Sequence, residues 1–182
     1  MAKLRDAHSY RRVKRAYTRH SKLRSKGYIK GAPQIKVTQY DMGNAKLAYS
    51  HEVRLIATRT IQIRDNALEA ARQTAARWMD LNCAKTGYHI KLRAVPHHIL
   101  RENPLASGAG ADRFQQGMSL AYGNPIGHAA QVKPGKILFS FFIDAAHIDI
   151  AKEAARKANT KLPMRCKIEV LETKINTDRA AA

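Results

Sequence analysis

The residues able to do chemistry in this chain are overwhelmingly cations. Across 182 residues, 33 Lys and Arg stand against 14 Asp and Glu, a formal net charge of +19 and a pI near 10.3. Eleven of the cations fall in residues 1–32: Lys3, Arg5, Arg11, Arg12, Lys14, Arg15, Arg19, Lys22, Arg24, Lys26 and Lys30, with Asp6 the only acid there. Tyr10, Tyr17 and Tyr28 are interleaved among them. Cationic heads meet phosphates and phenol rings stack on exposed bases, so this pattern suits RNA. A folded domain this basic meets a polyanion, with nucleic acid first and an anionic membrane surface second. A surface that is merely well solvated needs a much smaller net charge. In isolation such an arm reads as a solvated, disordered tail that folds on binding.

Other chemistry finds little support. His97 and His98 are adjacent, so on a strand they point to opposite faces, and no metal or cofactor is expected. Cys83 and Cys166 have no CxxC spacing and read as two partly buried free thiols of a reducing compartment. Gly108-Ala109-Gly110 opens like a dinucleotide fingerprint, but Arg113 holds the third glycine position and no strand–turn–helix context surrounds it. There is no P-loop and no nucleophile elbow, so no catalytic residue is assigned. No apolar run reaches the roughly 20 residues of a membrane span, and no apolar segment follows the basic N-terminus as in a signal peptide. A cytoplasmic protein without membrane contact is expected.

These groups must be positioned by a domain, and 45% hydrophobic residues suffice for a core. The reading gives a basic arm over 1–33, one globular domain over 34–175 and a frayed tail over 176–182. Ile35 and Val37 alternate with polar neighbours as a short strand, Asp41-Met42-Gly43-Asn44 is a turn, and the runs at Val53–Ala57 and Ile61–Ile63 are strands with a kink between them. Asp65 or Asn66 caps a helix whose apolar stripe is Leu68, Ala71, Ala75, Trp78 and Met79, with Glu69, Arg72, Gln73, Arg77 and Asp80 opposite. Tyr88–Val95 is a strand that turns His89, Lys91 and Arg93 to one basic face. Ala129–Val132 is a strand, Lys133-Pro134-Gly135-Lys136 a basic turn, and Ile137–Ile143 a central strand covered on both faces. Asp144 caps a second helix to about Lys161, and Cys166–Val170 forms the last strand. Glu69-Ala70-Ala71-Arg72 is echoed by Glu153-Ala154-Ala155-Arg156. The echo suggests two strand–helix–strand units sharing one sheet. The expected class is α+β: a two-layer sandwich with two helices on a mixed, mostly antiparallel sheet.

Between the units lies an irregular stretch, Arg101–Gly127, holding five of the chain's ten glycines. Its first part has no period, and long irregular segments in compact domains are functional or disordered. Few charges argue against disorder, leaving a projecting loop over 101–117. About sixteen residues extended and doubled back reach roughly 25 Å. Arg101, Arg113, Gln115 and Gln116 beside small residues suit close contact with folded RNA, or else a floppy surface loop.

Gly110-Ala111-Asp112-Arg113-Phe114-Gln115-Gln116-Gly117-Met118 resembles a motif of the L-ten-e family of large-subunit ribosomal proteins, the archaeal and eukaryotic counterparts of bacterial L-sixteen. Ala67–Arg72, Gly87–Arg93, Ala121–Gly127 and Gly135–Ser140 match in the same order. The arm and Asp41–Asn44 resemble the archaeal form, whereas the tail after Glu172 lacks the eukaryotic basic-aromatic ending. The resemblance implies a structural protein bound to large-subunit ribosomal RNA, near 5S RNA and beside other ribosomal proteins. It also implies a loop (Ser107, Gly108, Gly110, Asp112, Arg113, Gln115 and Gln116, with Arg101 at its base) directed toward tRNA near the peptidyl transferase centre. The expected ribosomal RNA contacts are Arg5, Arg11, Arg12, Lys14, Arg15, Arg19, Lys22, Arg24, Lys26, Lys30, Lys91, Arg93, Lys133 and Lys136. The rival readings are a non-ribosomal RNA chaperone or condensing protein, and an enzyme using the glycine loop for a phosphorylated small molecule.

Overall fold

In the computed structural model, residues 6–13, 29, 31–84, 87–103 and 123–173 are described. Among the described residues eight strands are present: β1 (Asp41–Gly43), β2 (His51–Ala57), β3 (Ile61–Arg64), β4 (Tyr88–Leu92), β5 (His98–Glu102), β6 (Asn124–Val132), β7 (Ile137–Ile143) and β8 (Cys166–Glu172). Helix α1 covers Asp65–Asn82 and α2 covers Ile148–Asn159.

The strands form two sheets rather than one, a five-stranded sheet in the order β1-β4-β7-β2-β8 and a three-stranded sheet β3-β6-β5. All pairings among them are antiparallel. The α+β class stands, with the single expected sheet divided in two. The division follows from Thr58-Arg59-Thr60, where the chain leaves β2 and enters the second sheet as β3. The internal echo is a real repeat of topology. β2 and β4 flank β7, while β7 and β8 flank β2, so two split strand–helix–strand units interleave in one sheet. The second sheet is made of insertions into that frame.

Alternation puts Val53, Leu55, Ile90, Phe139, Phe141 and Ile143 on the helix-facing side of the larger sheet, all fully buried. Against them lie Leu68, Ala71, Ala75 and Met79 of α1 and Ala151, Ala154, Ala155 and Ala158 of α2. The alanines let the two helices approach each other closely over the sheet. Trp78 packs only partly against this core, with Lys157 Nζ 4.0 Å from its ring centroid.

Five local expectations are corrected. Asp41–Gly43, expected in a turn, is the strand β1 paired with β4. Residues 34–38 form no ladder; the Lys36 N–H donates to Asp65 Oδ2 (3.1 Å) and the Thr38 N–H to Glu69 Oε2 (3.4 Å). That segment lies along α1, so Glu69 and Arg72, expected on the solvent face, are buried. Neither Asp65 nor Asn66 precedes α1 as a cap, because the helix already includes both. Asp144 makes no side-chain cap either; the Ala145 N–H donates to Ser50 Oγ at 3.1 Å, and a 3-10 turn leads into α2.

Candidate nucleic-acid interface

Three turns meet at one end of the molecule. The β2–β3 turn carries Arg59, the β6–β7 turn Lys133 and Lys136, and the α2–β8 loop Lys161 and Arg165. Backbone and side-chain hydrogen bonds tie them together. Ala57 exchanges with the basic turn, its N–H donating to the Lys136 carbonyl and its carbonyl accepting from the Gly135 N–H, both at 2.9 Å. Thr58 Oγ1 donates to the Arg165 carbonyl (2.7 Å) and Arg59 Nη2 to the Pro163 carbonyl (2.9 Å). Gly135 adopts φ +81°, which lets the turn close tightly. Neither residues 57–64, 133–137 nor 160–167 include an Asp or Glu. Side chains of one sign on fixed turns that themselves contain no acid form a ready surface for phosphates.

Part of the N-terminal arm docks beside this end. A 3-10 turn at Ala7–Tyr10 leads into Arg11, whose carbonyl accepts from the Gln62 N–H at 3.0 Å. Gln62 Nε2 donates to the Tyr10 carbonyl at 2.9 Å, and the Arg64 guanidinium stands 5.8 Å from the Tyr10 ring centroid. β3 is an edge strand, and the arm supplies the pairing that its open edge lacks. Residues 6–13 are therefore folded against the domain. Arg11 and Arg12 join the basic end. Arg5, Lys14, Arg15, Arg19, Lys22, Arg24, Lys26 and Lys30 lie outside the described residues.

The exposed face of the larger sheet is different. Lys91 Nζ lies 3.7 Å from Asp41 Oδ1, and His89 Nε2 3.1 Å from the same oxygen. Arg93 donates from Nε to Ser140 Oγ (2.6 Å) and reaches Glu52 Oε1 at 3.4 Å. Arg54 pairs with Glu52 (2.6 Å) and Lys167 with Glu169 (2.8 Å). Burial alone would raise the Glu52 carboxyl, but hydrogen bonds from Arg54 and Ser140 and the charges of Arg54 and Arg93 carry it below the ordinary carboxylate value. Lys91 and Arg93 thus each have an acidic partner on another strand, whereas Lys133 and Lys136 form no ion pair among the described residues.

The two described ends of the stretch 101–127 are strand rather than loop. β5 pairs with β6, Arg101 opposite Pro125 and Glu102 opposite Asn124, so Arg101 belongs to a strand at the neck of a hairpin. The expected strand Ala129–Val132 extends back to Asn124. Gly123 closes the neck at φ +97°, and a Cβ there would stand 2.9 Å from the Glu102 carbonyl carbon. Ser107, Gly108, Gly110, Asp112, Arg113, Gln115 and Gln116 lie outside the described residues. β6 runs from this neck to the basic turn, so eight steps of about 3.3 Å put the two roughly 26 Å apart.

Among the described residues no group of three or more His, Cys, Asp or Glu is arranged to hold a metal ion. Burial raises the Cys83 thiol and pushes Cys166 up to about 11, so neither is a ready nucleophile. No helix among the described residues is long and apolar enough to cross a membrane. Sequence reading missed Arg59, Arg64, Lys161 and Arg165. Each lies in or beside a short basic segment without acids, a signal that was visible, but only the topology brings the segments together.

The family model described as "Ribosomal protein L16p/L10e" matches residues 13–169. A "Large ribosomal subunit protein uL16" of Archaeoglobus fulgidus is 45% identical over 166 residues, covering 91% of this chain and 92% of its own. Proteins of the same description from Pyrobaculum islandicum (44% over 176 residues, 94% and 93% covered) and Methanococcus maripaludis strain C5 (42% over 172 residues, 94% and 96%) are similar throughout. With matches of this length, and with archaeal relatives as the sequence motifs led one to expect, the chain belongs to the ribosomal protein L16p/L10e family.

Proposed function

We propose that the chain is held in the large ribosomal subunit by ribosomal RNA, bound through its basic end and arm, and that the β5–β6 connection extends toward the tRNA-binding region near the peptidyl transferase centre. The coarser statement follows from the family: this is a cytoplasmic, structural ribosomal protein and not an enzyme. The observation that carries the finer one is the meeting of three acid-free basic turns on one rigid end, beside the docked Arg11 and Arg12. The hairpin neck roughly 26 Å away leaves the connection free to serve a second contact while the basic end holds the RNA. Nearness to 5S RNA and to other ribosomal proteins belongs to the same reading and rests on the family resemblance.

Sedimentation of extracts at stepped salt tests the reading. The chain is expected to travel with large subunits at moderate salt and to leave them progressively as salt rises. A variant lacking Ser107–Gln115 is expected to travel equally well, to keep the wild-type circular dichroism spectrum, and to show weakened tRNA binding on the subunits that carry it. Recovery of the wild-type chain at the top of the gradient would instead favour a free RNA chaperone.

A further inference from the structure

Between the docked arm and the body lies a small open cleft, of about 170 Å³, that the site described above leaves unused. Arg11 and Ala7 of the arm form one wall. Gln62 and Arg64 of β3 form the floor, and Lys161 and Pro163 of the α2–β8 loop the far wall. Three cationic residues, Arg11, Arg64 and Lys161, are among those that line it, and no lining residue is acidic. Two carboxylates adjoin the lining in sequence: Asp6, exposed ahead of Ala7, and Asp65, which accepts from the Lys36 and Asn66 N–H groups at 3.1 and 2.8 Å. Arg11 and Lys161 have no acidic partner among the described residues. The walls are fixed independently of any ligand: the Arg11 carbonyl by Gln62, and the Pro163 carbonyl by Arg59.

From this geometry we infer that the cleft is a binding site for one backbone phosphate of RNA, and that the phosphate clamps residues 7–11 to the body. The argument is one of size and charge. The cleft is smaller than the roughly 300–1,000 Å³ of pockets that enclose small molecules, so a nucleotide does not fit within it, while a phosphate group does. Guanidinium groups match phosphate oxygens in planar, paired geometry, and Lys161 adds a point charge. Because Arg11 comes from the arm and Arg64 and Lys161 from the body, the three meet only when the arm is docked, so occupancy favours the docked arm, and docking favours occupancy. The inference rests on the ribosomal RNA reading. It goes further in naming a discrete site and in coupling the arm's order to RNA. Arg11 precedes the residues that the family model matches, whereas Lys161 lies within them.

Two measurements on the full chain test it. In the first, trypsin cleavage at Arg11 and Arg12 is followed by mass spectrometry with inorganic phosphate or chloride at equal ionic strength. Phosphate is expected to slow cleavage in the wild type and not in Lys161→Ala. In the second, binding to deproteinised large-subunit RNA is titrated against salt. Lys161→Ala is expected to lower the slope of log K against log salt by about 0.7–0.9, one phosphate contact. Lys46→Ala, an exposed cation between β1 and β2, should leave trypsin protection unchanged. Equal cleavage with and without phosphate in the wild type overturns the clamp. Protection by phosphate with an unchanged RNA slope in Lys161→Ala overturns the RNA assignment in favour of a free-anion site. Failure of the wild type to bind the RNA at all, with phosphate protection intact, marks failure of the ribosomal RNA reading rather than of the cleft.

Discussion

Glu69 lies on the face of α1 that helical periodicity assigns to solvent, yet only 9% of it is exposed. It accepts from Arg72 and Gln73 on its own helix and from the Thr38 N–H and hydroxyl of the segment laid across it. Arg72 in turn reaches Met42 Sδ at 3.1 Å. The pair therefore fastens residues 38–42 to the helix. No period in the sequence marks a helix face that a non-repeating segment covers, which is why this network was illegible beforehand. The hydrogen bond from Arg72 holds the Glu69 carboxyl below its ordinary value. A depressed folded-state pKa means that the unfolded chain binds the proton more readily. The stabilisation is fully present above about pH 4.3 and is lost as pH falls through the lower folded value. Glu69→Gln is expected to cost about 3 kcal/mol at neutral pH, because it leaves a buried guanidinium without its charge partner. Melting curves from pH 7 to 3 check this: the gap between wild type and variant should narrow on the acid side, and a constant gap would mean that charge is not the cause.

At the scale of elements, α1, α2, β4 and β8 were legible because each carries a period of its own, 3.6 or 2, and β7 because it is a nearly continuous apolar run. β5 and the first half of β6 were not. The sequence from Asn124 to Gly127 contains a proline and a glycine and lacks alternation, and the ladder shifts register between Leu100 and Arg101. Pairing across the hairpin, rather than local pattern, makes these residues strands. Gly123 is the constraint that can be tested. Its positive φ already disfavours any side chain, and a Cβ would press on the Glu102 backbone. Gly123→Ala is expected to destabilise the hairpin by about 1–3 kcal/mol. Hydrogen exchange should show faster exchange of amides in β5 and the start of β6, with β2 and β7 protected as in the wild type. Uniform loss of protection would mean that the hairpin folds as one unit with the larger sheet.

On the whole molecule, net charge announced a polyanion, but composition cannot tell a cation that faces solvent alone from one that faces a carboxylate. The fold makes that distinction. Lys91, placed among the expected RNA contacts, has Asp41 across the β1–β4 ladder, and Arg93 has Glu52. Lys133 and Lys136 stand on a tight turn in a neighbourhood without acids. Phosphate contact displaces counterions from the nucleic acid, and a lysine already neutralised by its neighbour contributes less to that exchange. The double variant Lys133→Ala/Lys136→Ala is therefore expected to flatten the salt slope of RNA binding by about 1.4–1.8, two contacts' worth. Lys91→Ala should change it by less than about half of one contact. Both sites are exposed, so stability measured by melting should stay close to wild type in each. Equal slopes for the double variant and the wild type would remove the basic end from the interface. A large change for Lys91→Ala would restore the sheet face as an RNA contact despite its acidic partner.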